Sequence, residues 1–488
     1  MFMTRREFSV LTASTTAFLL SGCKPAKPRL RKEVNALSST ELASYRAGVD
    51  AMQHLARDNA LSWDYQRAVH SIPPGGSADN PLADPAGTAS FWRKCHHHTD
   101  HFFDWHRWEL FYYEEILRQV CGDPKFNLPY WDYFTDAHLP VAFRPPTSGT
   151  NVLAHARNSA LNDGTGELNV APTGMSTTSL PSFQSYFEYN PHDITHGQVG
   201  GDMVSVPTAA LDPVFYAHHC NVDRGWDVWL KQGGGRVNPT GSWPTTSFDF
   251  QSVSGPKTPT AGGADTPEKM GYTYTPAPPY KLPPDVLDLL RKLAQRYRYR
   301  IPKPIPPIPP EPGPDPAPWR SLAVVEGFEL DGVPTVLPVA PSPDALKSFS
   351  DASRQKDLEV ALTFTNLRAT EFARQGGYFY QIFLVPSARA LSDAKVEQAA
   401  ELRGINAFSL SVAAHEGHAE HGGPSRYVIT LDAQARELLA RAASADPAFV
   451  FVRRGLIIKG QEDESNADKV LFIFDDVRLE VRSSNARK

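Results

Sequence analysis

The chain has 488 residues, of which 41% are hydrophobic and 21% charged, with a formal net charge of -5. That length exceeds one compact core of usual size, so two or three domains are expected, and the composition excludes a coiled coil, a collagen and a wholly disordered chain. A slightly acidic balance argues against nucleic acid as a partner, because a phosphate footprint requires clustered Lys and Arg. The 43 prolines exceed what a helical bundle absorbs, while 9 Trp and 26 Phe suffice for a large aromatic core.

The N-terminus reads as an address. Paired Arg5 and Arg6 precede an apolar stretch from Val10 to Leu20, too short for a permanent membrane span, and Leu20-Ser21-Gly22-Cys23 follows. The arginines fit a twin-arginine export signal over residues 1–22. The last four residues resemble a bacterial lipobox, which makes Cys23 the lipidated first residue of the mature chain. The expected location is periplasmic or at the cell surface, with that lipid as the only membrane attachment and 23–37 as a tether. The remaining Cys95, Cys121 and Cys220 are too few for a disulfide scaffold.

Further along, 40–69 reads as a helix capped by Ser39 or Thr40, with Leu42, Tyr45, Val49, Met52 and Leu55 at helical spacing. A second helix is expected from about Asp100 to Val120, stopped by Cys121-Gly122-Asp123-Pro124. Residues 140–185 lack periodicity and read as loops. Asp212-Pro213 opens a third helix running to about Leu230. A short amphipathic helix is expected near 285–298. Residues 301–318 then hold ten prolines, a semi-rigid spacer and the clearest domain boundary. Beyond it, strand-like runs at 322–325, 358–364, 378–385, 408–412, 427–431, 449–452 and 470–474 predict a β-sandwich over 319–488.

The histidines cluster. His192 and His196 are four apart, so on a helix both imidazoles reach one metal, although an isolated pair of this kind also occurs on ordinary surfaces. His218 and His219 diverge by about 100° on a helix, so at most one joins that pair, the other standing behind it. In the third group, Cys95-His96-His97-His98-Thr99-Asp100-His101 through Trp105-His106-Arg107, helical spacing favours His97 with His101 and opposes His97 with His106. Geometry alone does not choose the ligands there.

Taken together these motifs resemble the type-3 copper proteins: tyrosinases, catechol oxidases (polyphenol oxidases) and, more distantly, hemocyanins. His97, Phe102, Trp105, His106 and Arg107 fit the family pattern of a histidine followed nine residues later by W-H-R, and His70 fits the upstream ligand. Asn190 to His196, Gly200-Gly201-Asp202-Met203 and Asp212 through Arg224 resemble the second metal-binding region. The resemblance implies a mainly α domain over 38–280, an antiparallel four-helix bundle with long loops around two copper ions. His70, His97 and His106 would hold copper A, with His97 in the chain entering the helix; His192, His196 and His219 would hold copper B. It further implies a thioether between Cys95 and His97, a water-holding carboxylate at Glu188, and a structural Y-x-Y motif at Tyr272 and Tyr274. Asp193 stands where Asn marks members that hydroxylate monophenols. Asp223, Asp100 and His218 are candidates to orient the ligands.

Imidazole serves copper in both of its one-electron states, three ligands per metal leave positions open, and about 3.5–4 Å is the general two-metal spacing. The implied reaction is oxidation of o-diphenols to o-quinones by O2, with monophenol hydroxylation using Glu188 through water as base and Asp193 assisting. The alternatives are an o-aminophenol oxidase and an oxygen carrier or copper store, which keeps a residue over the metals. The C-terminal domain is expected to cover the copper entrance until the linker 281–318, cleavable at 301–318, is cut or loosened. His415, His418 and His421 read as a surface loop with spacing suited to a metal ion.

Overall fold

The computed structural model describes residues 28–72, 91–276 apart from 93 and 147, 298–299, and 319–483 apart from 340–346, 348–349, 352, 356–357, 388–398, 415–425, 442–446 and 460–465. The expected export signal with Cys23, the expected helix near 285–298 except its last residue Arg298 (which begins the strand Arg298–Tyr299), the proline run 301–318, and His415, His418 and His421 lie outside those residues. Among the described residues no helix is long and apolar enough to cross a membrane.

Two long helices form the spine of the first domain. Phe102–Cys121 ends at Gly122 in the left-handed conformation (φ 66°), as its stop signal predicts. Val214–Lys231 opens where Asp212 Oδ1 accepts the Val214 amide at 2.9 Å. The helix expected over 40–69 is instead two, Ser39–His54 and Trp63–His70. Ser38, not Ser39 or Thr40, caps the first in a reciprocal box with Glu41. Residues 55–62 turn, and the Ser62 hydroxyl accepts the Tyr65 amide to start the second. Two further short helices, Leu180–Phe187 and Ile194–Val199, flank a single π turn at Glu188–Asp193. The bundle around the histidines thus combines two long helices with short ones.

The stretch expected as a tether is part of this domain. Arg29–Arg31 pairs in parallel with Tyr272–Tyr274. Fully buried Arg31 donates to Glu114 at 2.8 Å and lies 3.8 Å from the Tyr272 ring centroid. Such a guanidinium leaves water only against a carboxylate and a ring face, which ties the stretch to the core.

The second domain consists of two sheets. One has the order Ala400–Ile405, Tyr378–Val385, Ala448–Gly455, Thr335–Pro338, Arg298–Tyr299; the other Arg426–Thr430, Leu358–Thr365, Asp476–Ser483, Arg320–Glu326. All neighbours are antiparallel except the last pair of the first sheet. Leu362 and Phe364 of one sheet share a core with Ile382, Leu384 and Phe451 of the other. The expected strand at 470–474 shortens to Phe472–Ile473. The expected strand at 408–412 is a helix, Ala407–Ala414, because Asn406 Oδ1 accepts the Ser409 amide at 2.9 Å and starts a turn.

That helix belongs in sequence to the second domain, yet Phe408 and Val412 are packed in the core of the first. Ile457–Ile458 pairs with Gly166–Glu167 across the same boundary, and the Gly377 amide donates to the Gln198 carbonyl at 3.1 Å. The second domain therefore lies over the helices that carry the histidines.

Candidate metal centre

Helical segments deliver five of the six imidazoles to one place, and a coil delivers the sixth. His70 ends its helix, His106 lies in the first turns of Phe102–Cys121, and His97 sits in the coil that precedes it. Their ring centroids are 5.3 Å (His70–His97), 5.8 Å (His70–His106) and 5.0 Å (His97–His106) apart. His192 is the penultimate residue of the π turn and His196 lies four residues on in the next helix; with His219 they make a second triad at 4.7, 5.0 and 5.5 Å. The triads meet where His106 stacks on His219 at 4.6 Å and 18°, and where His97 and His192 stand 5.6 Å apart. All six are buried.

Second-sphere acceptors hold the Nδ1 edge of most rings. His70 donates to the Val206 carbonyl (3.2 Å), His106 to the Phe102 carbonyl (2.6 Å), His196 to the Met203 carbonyl (2.9 Å) and His192 to Asp193 Oδ1 (2.9 Å). Each bond turns Nε2 toward the interior. Nε2 of His106 and of His192 is buried without a hydrogen-bond partner, and those of His196 and His219 face each other at 3.4 Å. Burial holds His106, His196, His218 and His219 well below the usual imidazole range, so they stay neutral as metal binding requires. An all-imidazole donor set with inward lone pairs suits copper, and the two clusters fit a dinuclear copper centre.

Neighbouring candidates divide. Cys95 Sγ shares a 4.8 Å group with nitrogens of His70 and His97, and His218 shares one with His192, His196 and His219. Both His218 nitrogens are buried without a hydrogen-bond partner, so it orients no ligand and packs among them instead. Asp100 is exposed; its carbonyl accepts the Trp243 indole N–H. It does not act behind a ligand. Asp223 accepts from Arg107 (2.5 Å), Tyr272 (2.7 Å) and Tyr274 (2.5 Å), which makes it the buried knot joining both long helices to the Y-x-Y strand. Backbone carbonyls and Asp193 orient the ligands, and carbonyls leave no mark in a sequence. His101 faces Trp243 and Asp104, away from the triads.

Glu188 and Asp193 bracket the π turn. Burial, then the nearby Asp193, push the Glu188 carboxyl well above its ordinary range. Burial presses Asp193 the same way, but His98 and His192 outweigh it and hold Asp193 below the usual carboxylate range. Over the second triad, Phe408 stacks on His196 with centroids 3.9 Å apart and planes 10° apart. Its neighbour Ser409 donates to Asp193 Oδ2 at 2.8 Å. On the strand expected over 408–412 Phe408 would not reach this position; only the helix Ala407–Ala414 brings it there.

The chain matches the common central domain of tyrosinase over residues 60–173 and 153–232. It is 30% identical over 306 residues to a tyrosinase of Hahella sp., covering 51% of this chain and 64% of that protein. It is 28% identical over 308 residues to the chloroplastic polyphenol oxidase A of Solanum lycopersicum, covering 51% and 47%. The matches thus cover less than two thirds of these relatives' length. Latent apple tyrosinase superposes with a TM-score of 0.51 at 19% identity, over 94% of this chain and 98% of that one. Latent aurone synthase, a polyphenol oxidase, does so at 0.53 and 17%, over 95% and 91%. These two likenesses concern the fold.

Proposed function

Because residues 60–232 carry the tyrosinase central domain and the chain belongs to the type-3 copper proteins, we propose that it oxidises o-diphenols to o-quinones with O2, and in its present form holds that activity latent. The observation that carries this is the meeting of two buried histidine triads at the His106–His219 stack. His70, His97 and His106 would hold copper A, and His192, His196 and His219 copper B. A bound copper pair supplies the redox couple and the site for O2.

The protein's own groups do the rest. Phe408 lies flat on His196, so a phenol ring taking its place would lie on the same imidazole face. Glu188 Oε2 is buried without a hydrogen-bond partner and is our candidate to take a phenolic proton through water; Asp193 stays ionised beside it. Cys95, within reach of His97, is the candidate for a thioether. Export with lipid on Cys23 follows from the first 23 residues, and intact mass of the mature chain tests both modifications at once.

A second reading has one observation behind it: Phe408 lies over the second triad, where a carrier would keep a permanent cover. Oxygen uptake separates the two. The copper-loaded Phe408→Gly chain should consume O2 with catechol at least tenfold faster than the parent, and Glu188→Gln in that background should lose monophenol uptake while keeping catechol uptake. Two bound copper ions with no turnover of catechol, monophenol or o-aminophenol in the uncovered chain would establish the carrier. Full monophenol uptake by Glu188→Gln would remove the base assignment.

A further inference from the structure

His98 stands between the two metal triads without belonging to either. It is one of three described non-glycine residues with positive φ, at 54°, a conformation that a Cβ disfavours. That turn sends its two polar ends in useful directions. The backbone N–H donates to Glu188 Oε1 at 2.5 Å, and Nε2–H of the buried side chain donates to Asp193 Oδ2 at 3.2 Å. Asp193 Oδ1 in turn accepts from His192 Nδ1.

The loop is pinned so that this posture persists. Gln184 donates to the Thr99 carbonyl one residue on, and His97 is fixed among the triad rings. Ser409 also donates to Asp193 Oδ2, so that oxygen accepts from His98 on one side and from the second domain on the other.

We propose that His98 is a positioning residue that sets both carboxylates, Glu188 through its backbone and Asp193 through its ring, and through Asp193 fixes His192. This rests on the reading of His192 as a copper ligand. It links a loop of the copper A side to the copper B side through one amino acid. The left-handed turn is what allows both bonds at once: an extended residue there would point amide and ring elsewhere.

The experiment compares the full-length parent with His98→Asn and His98→Gly, both at ease at positive φ and both lacking the ring. Copper retention against a chelator is read on the intact chain, and catechol kcat and KM in the Phe408→Gly background. Both variants should bind two copper ions at saturation, surrender one of them at about tenfold lower chelator concentration, and lose about tenfold in kcat with KM within twofold. A merely structural role would lower the melting temperature and leave chelator resistance and the kcat-to-KM split unmoved. Chelator resistance and kcat both within twofold of the parent would overturn the proposal. If neither variant folds, His98→Gln, whose amide reaches toward Asp193, should keep copper and kcat near parental values; losing both overturns it. A parent that binds no copper instead refutes the function proposed above.

Discussion

Glu109, like Glu188, has a carboxyl pushed well above its ordinary range. It is 4% exposed, neither oxygen has a hydrogen-bond partner, and burial alone pushes its carboxyl well above the ordinary 4.5. Asp193 shows the contrast: equally buried, but supplied with donors from His98, His192 and Ser409, it stays ionised. The sign for Glu109 follows from linkage. The unfolded chain releases this proton near pH 4.5 and the folded chain holds it, so the folded state loses stability as pH rises above 4.5 until its own raised value is passed. Glu109→Gln should therefore raise the melting temperature by several degrees at pH 7 and confer little or nothing at pH 4, measured by thermal melts at both. A larger gain at pH 4 would reverse the argument. Residue roles were legible in the sequence only where chemistry is bound to residue type. Imidazoles at a fixed spacing announce a metal, whereas the Val206 and Met203 carbonyls that orient His70 and His196 look like any other backbone. His98 shows the same gap, because a positive φ is imposed by neighbours distant in sequence.

Single elements were legible where one end carries a strong signal. Phe102–Cys121 stops at a left-handed glycine and Val214–Lys231 starts on an aspartate cap, and both run nearly where spacing placed them. Phe408-Ser409-Leu410-Ser411-Val412 alternates apolar and polar like a half-buried strand, yet Asn406 turns it into a helix that presents Phe408 and Val412 to another domain. A partner surface decided that element. The glycines beside this contact test it. Gly376 (φ 83°) lies against Gly200, which follows the helix carrying His196; a Cβ on Gly376 would come within 2.4 Å of the Gly200 Cα. Two backbones meeting there leave no flexible side chain to yield. Gly376→Ala should thus weaken the seat of the cover by about 1 kcal/mol or more, roughly fivefold in the open fraction. Catechol-dependent oxygen uptake by the intact, copper-loaded chain should rise accordingly, with copper content unchanged. Unchanged uptake would show that this seam does not hold the cover.

The histidine-bearing domain and the second domain are joined by more than the linker. Phe408 and Val412 share the core of the first domain, Tyr186 donates to Asp432, Tyr189 to the Tyr380 carbonyl, and the Val206 amide to Ser411 Oγ. The Ile457–Ile458 strand pairs with Gly166–Glu167 besides. Burying the Phe408 ring contributes about 1.5–3 kcal/mol, and each net hydrogen bond about 0.5–1.5 kcal/mol. Together these exceed what loss of one covalent connection removes at ordinary protein concentrations, since cutting a linker lowers only the effective concentration of the second domain. A single cut within 301–318 should therefore leave the two fragments associated, eluting together at micromolar concentration with catechol uptake still close to that of the uncut chain. Uptake should rise only when a mild denaturant or a Phe408 substitution separates them. The Val206 amide, which binds the second domain through Ser411, belongs to the residue whose carbonyl accepts from His70, so separation should also free the loop behind that imidazole. Two separate elution peaks with full turnover directly after cutting would place the latency in the linker and not in this interface.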